Sequence, residues 1–180
     1  MITPDTKDWT WVLTRPCPEC GLDTRGIRPE QVPDLLRANA TAWHELLSTH
    51  PEPARRPRPD TWSPLEYACH VRDVCRIYDH RLHLMLTEDN PTYPDWNQDQ
   101  TALDDDYAHQ NPHRVAAELR TAADTLATHL AEVSGPAWHR PGTRDDGAHF
   151  TIATFARYFI HDPLHHLYDV TGTRMPAPEA

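Results

Sequence analysis

Apolar positions along the chain recur at helical rather than alternating spacing, in four stretches separated by proline-rich segments. The first stretch, from about Pro29 to His50, sets Val32, Leu35, Leu36, Trp43, Leu46 and Leu47 near one face, with Asn39 a polar exception in the stripe. The second has the strongest start signal in the chain. Ser63 can cap, Pro64 suits the first helical position, and Glu66 completes a Ser-x-x-Glu capping box. Its stripe is Tyr67, Val71, Val74, Ile77, Tyr78, Leu82 and Met85, ending near Thr87. The third, about His113 to Val133, carries Val115, Leu119, Ala122, Leu126, Leu130 and Val133. The fourth runs from about Thr151 to Asp169, with Gly172 as terminator, and buries Ile152, Phe155, Ala156, Phe159, Pro163, Leu167 and Val170.

The intervening segments are punctuated by proline clusters at 16–33, 51–64, 91–112 and 136–141. Residues 51–59 read as a stiff, basic, extended linker. Residues 88–112 are an acidic crossover, with a short helix around Gln100–His109 and with Tyr93, Trp96 and Tyr107 placed to roof a cavity; a connection this long is often functional. Ser134–His149 reads as a second long loop. With no convincing alternating strand and no internal repeat, the pattern predicts an all-α fold: an antiparallel four-helix bundle with long crossover loops and an irregular N-terminal arm. The arm spans 1–28, the bundle 29–172 and a tail 173–180.

Length permits one domain with a sizeable core, and the formal charge of −10 argues against nucleic acid as a partner. No run approaches the ~18 apolar residues of a membrane span. No basic segment followed by an apolar stretch opens the chain, so a cytoplasmic protein is expected. The four cysteines are then thiols or ligands rather than disulfides. Cys17-Pro18-Glu19-Cys20 in the arm is a single Cys-x-x-Cys. It reads as half of a metal site completed by histidines, as a redox pair, or as two ordinary thiols. The last is the simplest reading, since no second pair at zinc-ribbon spacing and no preceding strand accompany it. Cys69 suits a packing role. Asp99 and Asp104–Asp106 lack the glycine and glutamate of a calcium loop and read as a solvated face. No Ser-His-Asp order, phosphate loop or dinucleotide fingerprint is present.

A metal site inside a bundle needs His, Asp or Glu on the apolar faces of different helices. At 100° per residue, His70 lies about 50° from the buried centre of the second helix and can point inward. The fourth helix offers two i, i+4 pairs, His161 with His165 and Asp162 with His166. His166 lies roughly 40° and Asp162 about 80° from the core direction, whereas His161 and His165 fall roughly 140–180° away, toward solvent. The wheel favours Asp162 and His166, although a kink at Pro163 can rotate one half of the helix against the other.

Trp62-Ser63-x-x-Glu66-x-x-x-His70-Val71 resembles the motif that opens the second helix of the DinB-like superfamily, and the likeness extends over roughly Pro29 to Val170. That resemblance implies a four-helix bundle with a divalent metal held by a triad. The family's last helix usually reads His-x-x-His-His-x-x-Gln with its first and third histidines as ligands. Laid on this chain without a gap, it implies Asp162 and His166 as ligands and sets Asp169 at the Gln. Asp in place of the first His is similar to the mycothiol-dependent maleylpyruvate isomerase branch. A gapped register that restores His161 and His165 is the alternative.

His70, Asp162 and His166 make a donor set suited to zinc and tolerable for nickel, iron or manganese. An open fourth position would hold a thiolate or water near neutral pH, and Asp169 would orient a ligand. The resulting expectation is a metal-dependent thiol (mycothiol-type) S-transferase or isomerase, with a low-molecular-weight thiol cosubstrate and a small-molecule substrate. Arg55, Arg56 and Arg58 are then surface charges, or contacts for a substrate carboxylate. The alternative is a non-catalytic metal-binding or stress-related interaction module. The first helix leaves room for a homodimer face without a stripe clean enough to assign one.

Overall fold

The computed structural model of the chain describes residues 2 and 8–174. Helix α1 (Val32–Thr49) follows three short 3₁₀ segments, two in the arm at Thr10–Leu13 and Thr24–Gly26 and one at Pro29–Gln31 directly before the helix. Helix α2 (Pro64–Thr87) starts where its capping box dictates: the Ser63 hydroxyl accepts from the Glu66 amide, and the Glu66 carboxylate accepts from the Ser63 amide at 2.9 Å. A short strand β1 (Thr92–Tyr93), helix α3 (Gln98–Asp104) and a 3₁₀ turn at Tyr107–His109 fill the crossover to α4 (Pro112–Glu132). Strands β2 (Pro141–Arg144) and β3 (His149–Thr151) lead into α5 (Ile152–Thr171), which Gly172 terminates in the left-handed region at φ 66°.

Helix α4 packs along both α1 and α2, and α5 also touches both; neither α1 with α2 nor α4 with α5 shares an extensive face. The ring order is therefore α1–α4–α2–α5, and consecutive helices α1 and α2 sit diagonally. That arrangement explains why the connections after α1 and α4 are long, since each crosses an end of the bundle. The core between the helices is built on Trp43, Leu65, Leu119, Leu126, Phe155 and Phe159, all fully buried. Tyr78 stacks on Phe155 at 4.6 Å and leans on Phe159 at 4.9 Å.

Asn39, the polar residue in the α1 stripe, is buried and donates from Nδ2 to the Pro163 carbonyl at 2.8 Å. It ties α1 to α5 at the proline, and α5 stays one helix through Pro163.

Two expectations are revised. The fold carries a small three-stranded sheet in the order β1-β2-β3, with β1 parallel and β3 antiparallel to β2. Strands of two to four residues, one of them holding Pro141 and Gly142, are too short to leave an alternating signature. The sheet closes one end of the bundle: a Cβ at Gly142 would lie 2.8 Å from Cγ of Met85 on α2, so a larger residue there would force the Met85 side chain to shift. The helix expected at Gln100–His109 is instead two pieces, broken where Asp106 adopts φ 47°. Among the described residues no helix is long and apolar enough to cross a membrane.

Candidate metal centre

His70 stands two turns into α2, at a position fixed by the capped start of that helix, and meets Asp162 and His166 from α5. Its Nε2 lies 3.3 Å from Asp162 Oδ2, and His166 Nε2 lies 3.7 Å from the same oxygen. The surroundings hold each ring in plane. Trp96 from the crossover stacks on His70 at 5.2 Å and 9°, with Trp62 on another side at 5.4 Å. Tyr67 packs against His166 at 5.0 Å.

The donor chemistry fits a cation. His166 Nδ1 lies 3.0 Å from Asp169 Oδ2, which as an ionised carboxylate only accepts, so the ring proton sits on Nδ1 when His166 is neutral. The Nε2 lone pair of a neutral His166 then faces the Asp162 carboxylate, acceptor against acceptor, and only a proton on the ring or a cation between the two groups removes that conflict. The second oxygen of Asp162, Oδ1, is buried and has no hydrogen-bond partner among the described residues. Desolvation pushes the Asp162 carboxyl upward, but the charges of His70 and His166 and the hydrogen bond from His70 outweigh it and hold the group well below the usual carboxylate range. Asp162 is thus an anion beside two imidazoles, a set that accommodates zinc.

These three residues line a cavity of about 770 Å³ whose walls also include Trp96, Tyr158, Arg81, Arg144 and the arm residues Asp8 and Trp9. Arg81 is buried, donates to the Pro94 carbonyl at 2.6 Å and lies over the rings of Tyr78 (5.4 Å) and Tyr93 (5.0 Å). Arg144 is held by Asp146 at 2.6 Å and donates to the Tyr158 hydroxyl at 3.2 Å. Neither arginine stood out in the sequence. Arg81 sits at the edge of the α2 stripe, three residues after Tyr78, where a wheel would find it; Arg144 lies in a two-to-four-residue-strand region with no periodicity to mark it.

Residues 34–170 match the family model of the DinB superfamily. The chain belongs to the DinB superfamily. Among solved structures, this DinB-superfamily chain is similar to YfiT from Bacillus subtilis, described as a probable metal-dependent hydrolase with an unusual four-helix bundle topology. The TM-score is 0.65 at 17% identity, over 94% of this chain and 90% of that one, a likeness of fold. No curated protein matches.

Several sequence readings change inside this DinB-superfamily bundle. His161 and His165 do not reach solvent: they are 4% and 5% exposed. They do face away from the helical core, as the wheel places them, but the N-terminal arm covers them. Trp9 packs over both rings at 5.4 and 5.2 Å. Cys17 Sγ lies 3.7 Å from His165 Nδ1, and Cys20 Sγ lies 3.8 Å from His161 Nε2. Burial, reinforced by the neighbouring His165, lowers His161 to about 4, so the ring is neutral at neutral pH. Cys17 and Cys20 are buried against these histidines, whereas Cys69 is fully buried in the core and burial pushes its thiol up to about 12, as suits a packing residue. Of the roofing aromatics, Trp96 lines the cavity while Tyr107 turns into the protein and donates to Asp73 at 2.6 Å. The arginines of the linker are committed elsewhere: Arg56 to the buried Glu66, Arg55 to Glu52 and Arg58 to Asp60. None of them lines the cavity.

Proposed function

We propose that this protein is a divalent-metal-dependent enzyme that activates a low-molecular-weight thiol, of the mycothiol type, for S-transfer to or isomerisation of a small electrophilic substrate. The observation that carries the reading is the convergence of His70 Nε2, Asp162 Oδ2 and His166 Nε2 at one point on the wall of a 770 Å³ cavity. Three protein donors beside open space leave one position for a substrate-derived ligand. Zinc suits the set best, with nickel, iron or manganese tolerated. A divalent ion held there would lower the pKa of a bound thiol or water so that a nucleophile forms near neutral pH.

The residues of the chain supply position and charge. Asp169 keeps the proton of His166 on Nδ1, and Trp96 and Trp62 fix the plane of His70. Arg81 and Arg144 stand in a cavity wall that also holds Asp8, Asp95, Asp99 and Asp146; Arg144 is paired with Asp146, which leaves Arg81 as the guanidinium that could meet a carboxylate on a thiol or its acceptor.

Turnover of an electrophile with a bacterial thiol tests the reading. Activity should require both thiol and metal, vanish on chelation, return on adding zinc, and be lost in His70→Ala. A second reading, hydrolysis by an activated water, is favoured by the description of YfiT. Metal-dependent cleavage of esters or amides without any thiol would establish it in place of the first. Bound metal with no turnover in either assay would leave the non-catalytic module.

A further inference from the structure

We propose that Cys17, Cys20, His161 and His165 form a second metal site, a closed Cys₂His₂ zinc centre that staples the N-terminal arm onto α5. The ligand atoms of all four residues lie within 4.8 Å of one another, and all four side chains are buried. Zinc bonds of about 2.3 Å to sulfur and 2.0–2.1 Å to nitrogen, arranged tetrahedrally, put sulfur and nitrogen on the order of 3.5 Å apart. Two of the four sulfur–nitrogen pairs stand at 3.7 and 3.8 Å, close to that value, and no pair of donors exceeds 4.8 Å, so modest side-chain adjustment would close the four donors on an ion.

Each half is built as a chelate. His161 and His165 are one turn apart on α5, the spacing of the histidine half of many structural zinc sites. The Cys-x-x-Cys half is folded back on itself: the Cys17 amide donates to the Leu22 carbonyl and the Gly21 amide to the Cys17 carbonyl, both at 2.8 Å. Gly21 makes the reversal at φ 78°, a conformation side-chain-bearing residues avoid. The far nitrogen of His165, Nε2, lies 3.5 Å from Asp169 Oδ1 and 3.6 Å from Glu19 Oε2. A carboxylate behind the second nitrogen of a metal-ligating imidazole is the usual support for such a ligand.

The competing roles fit less well. A redox pair presents an accessible sulfur, but Cys17 and Cys20 are 1% and 6% exposed. Charge also balances for zinc. Binding would release one proton from each thiol, and two thiolates plus two neutral imidazoles cancel the dipositive ion, so no net charge is buried. The arm has need of such a staple, because Val12 and Ile27 are the main apolar side chains it buries apart from the thiols. Since Asp8 and Trp9 line the catalytic cavity, the staple would also set one wall of that cavity.

Cobalt(II) substitution of the full-length, reduced protein tests the site. One equivalent should give the intense visible bands of tetrahedral cobalt together with sulfur-to-cobalt charge transfer in the near ultraviolet. The charge-transfer band should be lost in Cys17→Ser/Cys20→Ser and kept in His166→Ala, which separates this site from the His70 centre. Limited trypsin digestion of the wild-type protein, read by mass spectrometry, serves if the cysteine variant does not fold: chelation should expose cleavage after Arg25, the arm arginine not followed by proline, and zinc should restore protection. Absence of the sulfur band in reduced protein, a Cys17–Cys20 disulfide in protein purified without reductant, or arm cleavage indifferent to zinc would each overturn the proposal.

Discussion

At the scale of single residues, Asp169 contacts both candidate metal groups. Its Oδ2 faces His166 Nδ1 at 3.0 Å and its Oδ1 faces His165 Nε2 at 3.5 Å. Asp169→Asn should therefore weaken metal affinity at the His70–Asp162–His166 centre by about 10–100-fold, read by competition with a chelator; unchanged affinity would contradict the role. Asp73 offers a test away from the metal donors. Its carboxylate accepts from Arg72, Arg76 and Tyr107. Burial raises its pKa, but these partners, Arg72 foremost, outweigh burial and lower it. A carboxylate depressed on folding adds stability in full above its unfolded pKa of about 3.9 and loses it as pH falls through the lower folded value. In urea titrations, wild type should exceed Asp73→Asn at pH 6, and the gap should close in acid; a gap constant with pH would refute the ion pairing. The wheel drew attention to His70, Asp162 and His166, and the structure brings them together. It misplaced His161 and His165 because a wheel measures direction relative to one core, and an irregular arm with no periodicity gives no warning that it covers the opposite face.

At the scale of elements, legibility followed local chemistry. The α2 start was readable because Ser63, Pro64 and Glu66 act within one turn, and Gly172 marked the end of α5 for the same reason. Ser63→Ala should cost about 1 kcal/mol in chemical denaturation. Glu66→Ala should cost more, since it removes the other half of the box and leaves Arg56 without its buried partner. Equal losses for the two variants would show that the pair with Arg56 contributes nothing. The sheet was not legible: its stability rests on pairing between Thr92–Tyr93 and Pro141–Arg144, segments far apart in sequence and each too short to show a period.

At the scale of the molecule, α5 organises the function. One face turns Asp162 and His166 toward His70 on α2, and the other turns His161 and His165 toward the arm. The diagonal placements lengthen the connections after α1 and α4, whereas the long segment 88–111 joins neighbouring helices α2 and α4 and supplies Trp96 to the cavity wall. The four long helices and the bundle were readable from periodicity, because each stripe must find a partner. The ring order was not, because periodicity says which face is buried and nothing of which helix buries it. The most direct test of the central claim is an anomalous difference map at the zinc edge from crystals of metal-loaded protein. The account predicts a peak bounded by His70 Nε2, Asp162 and His166 Nε2 at the cavity wall. Density confined to His161 and His165, with none at His70, would contradict it.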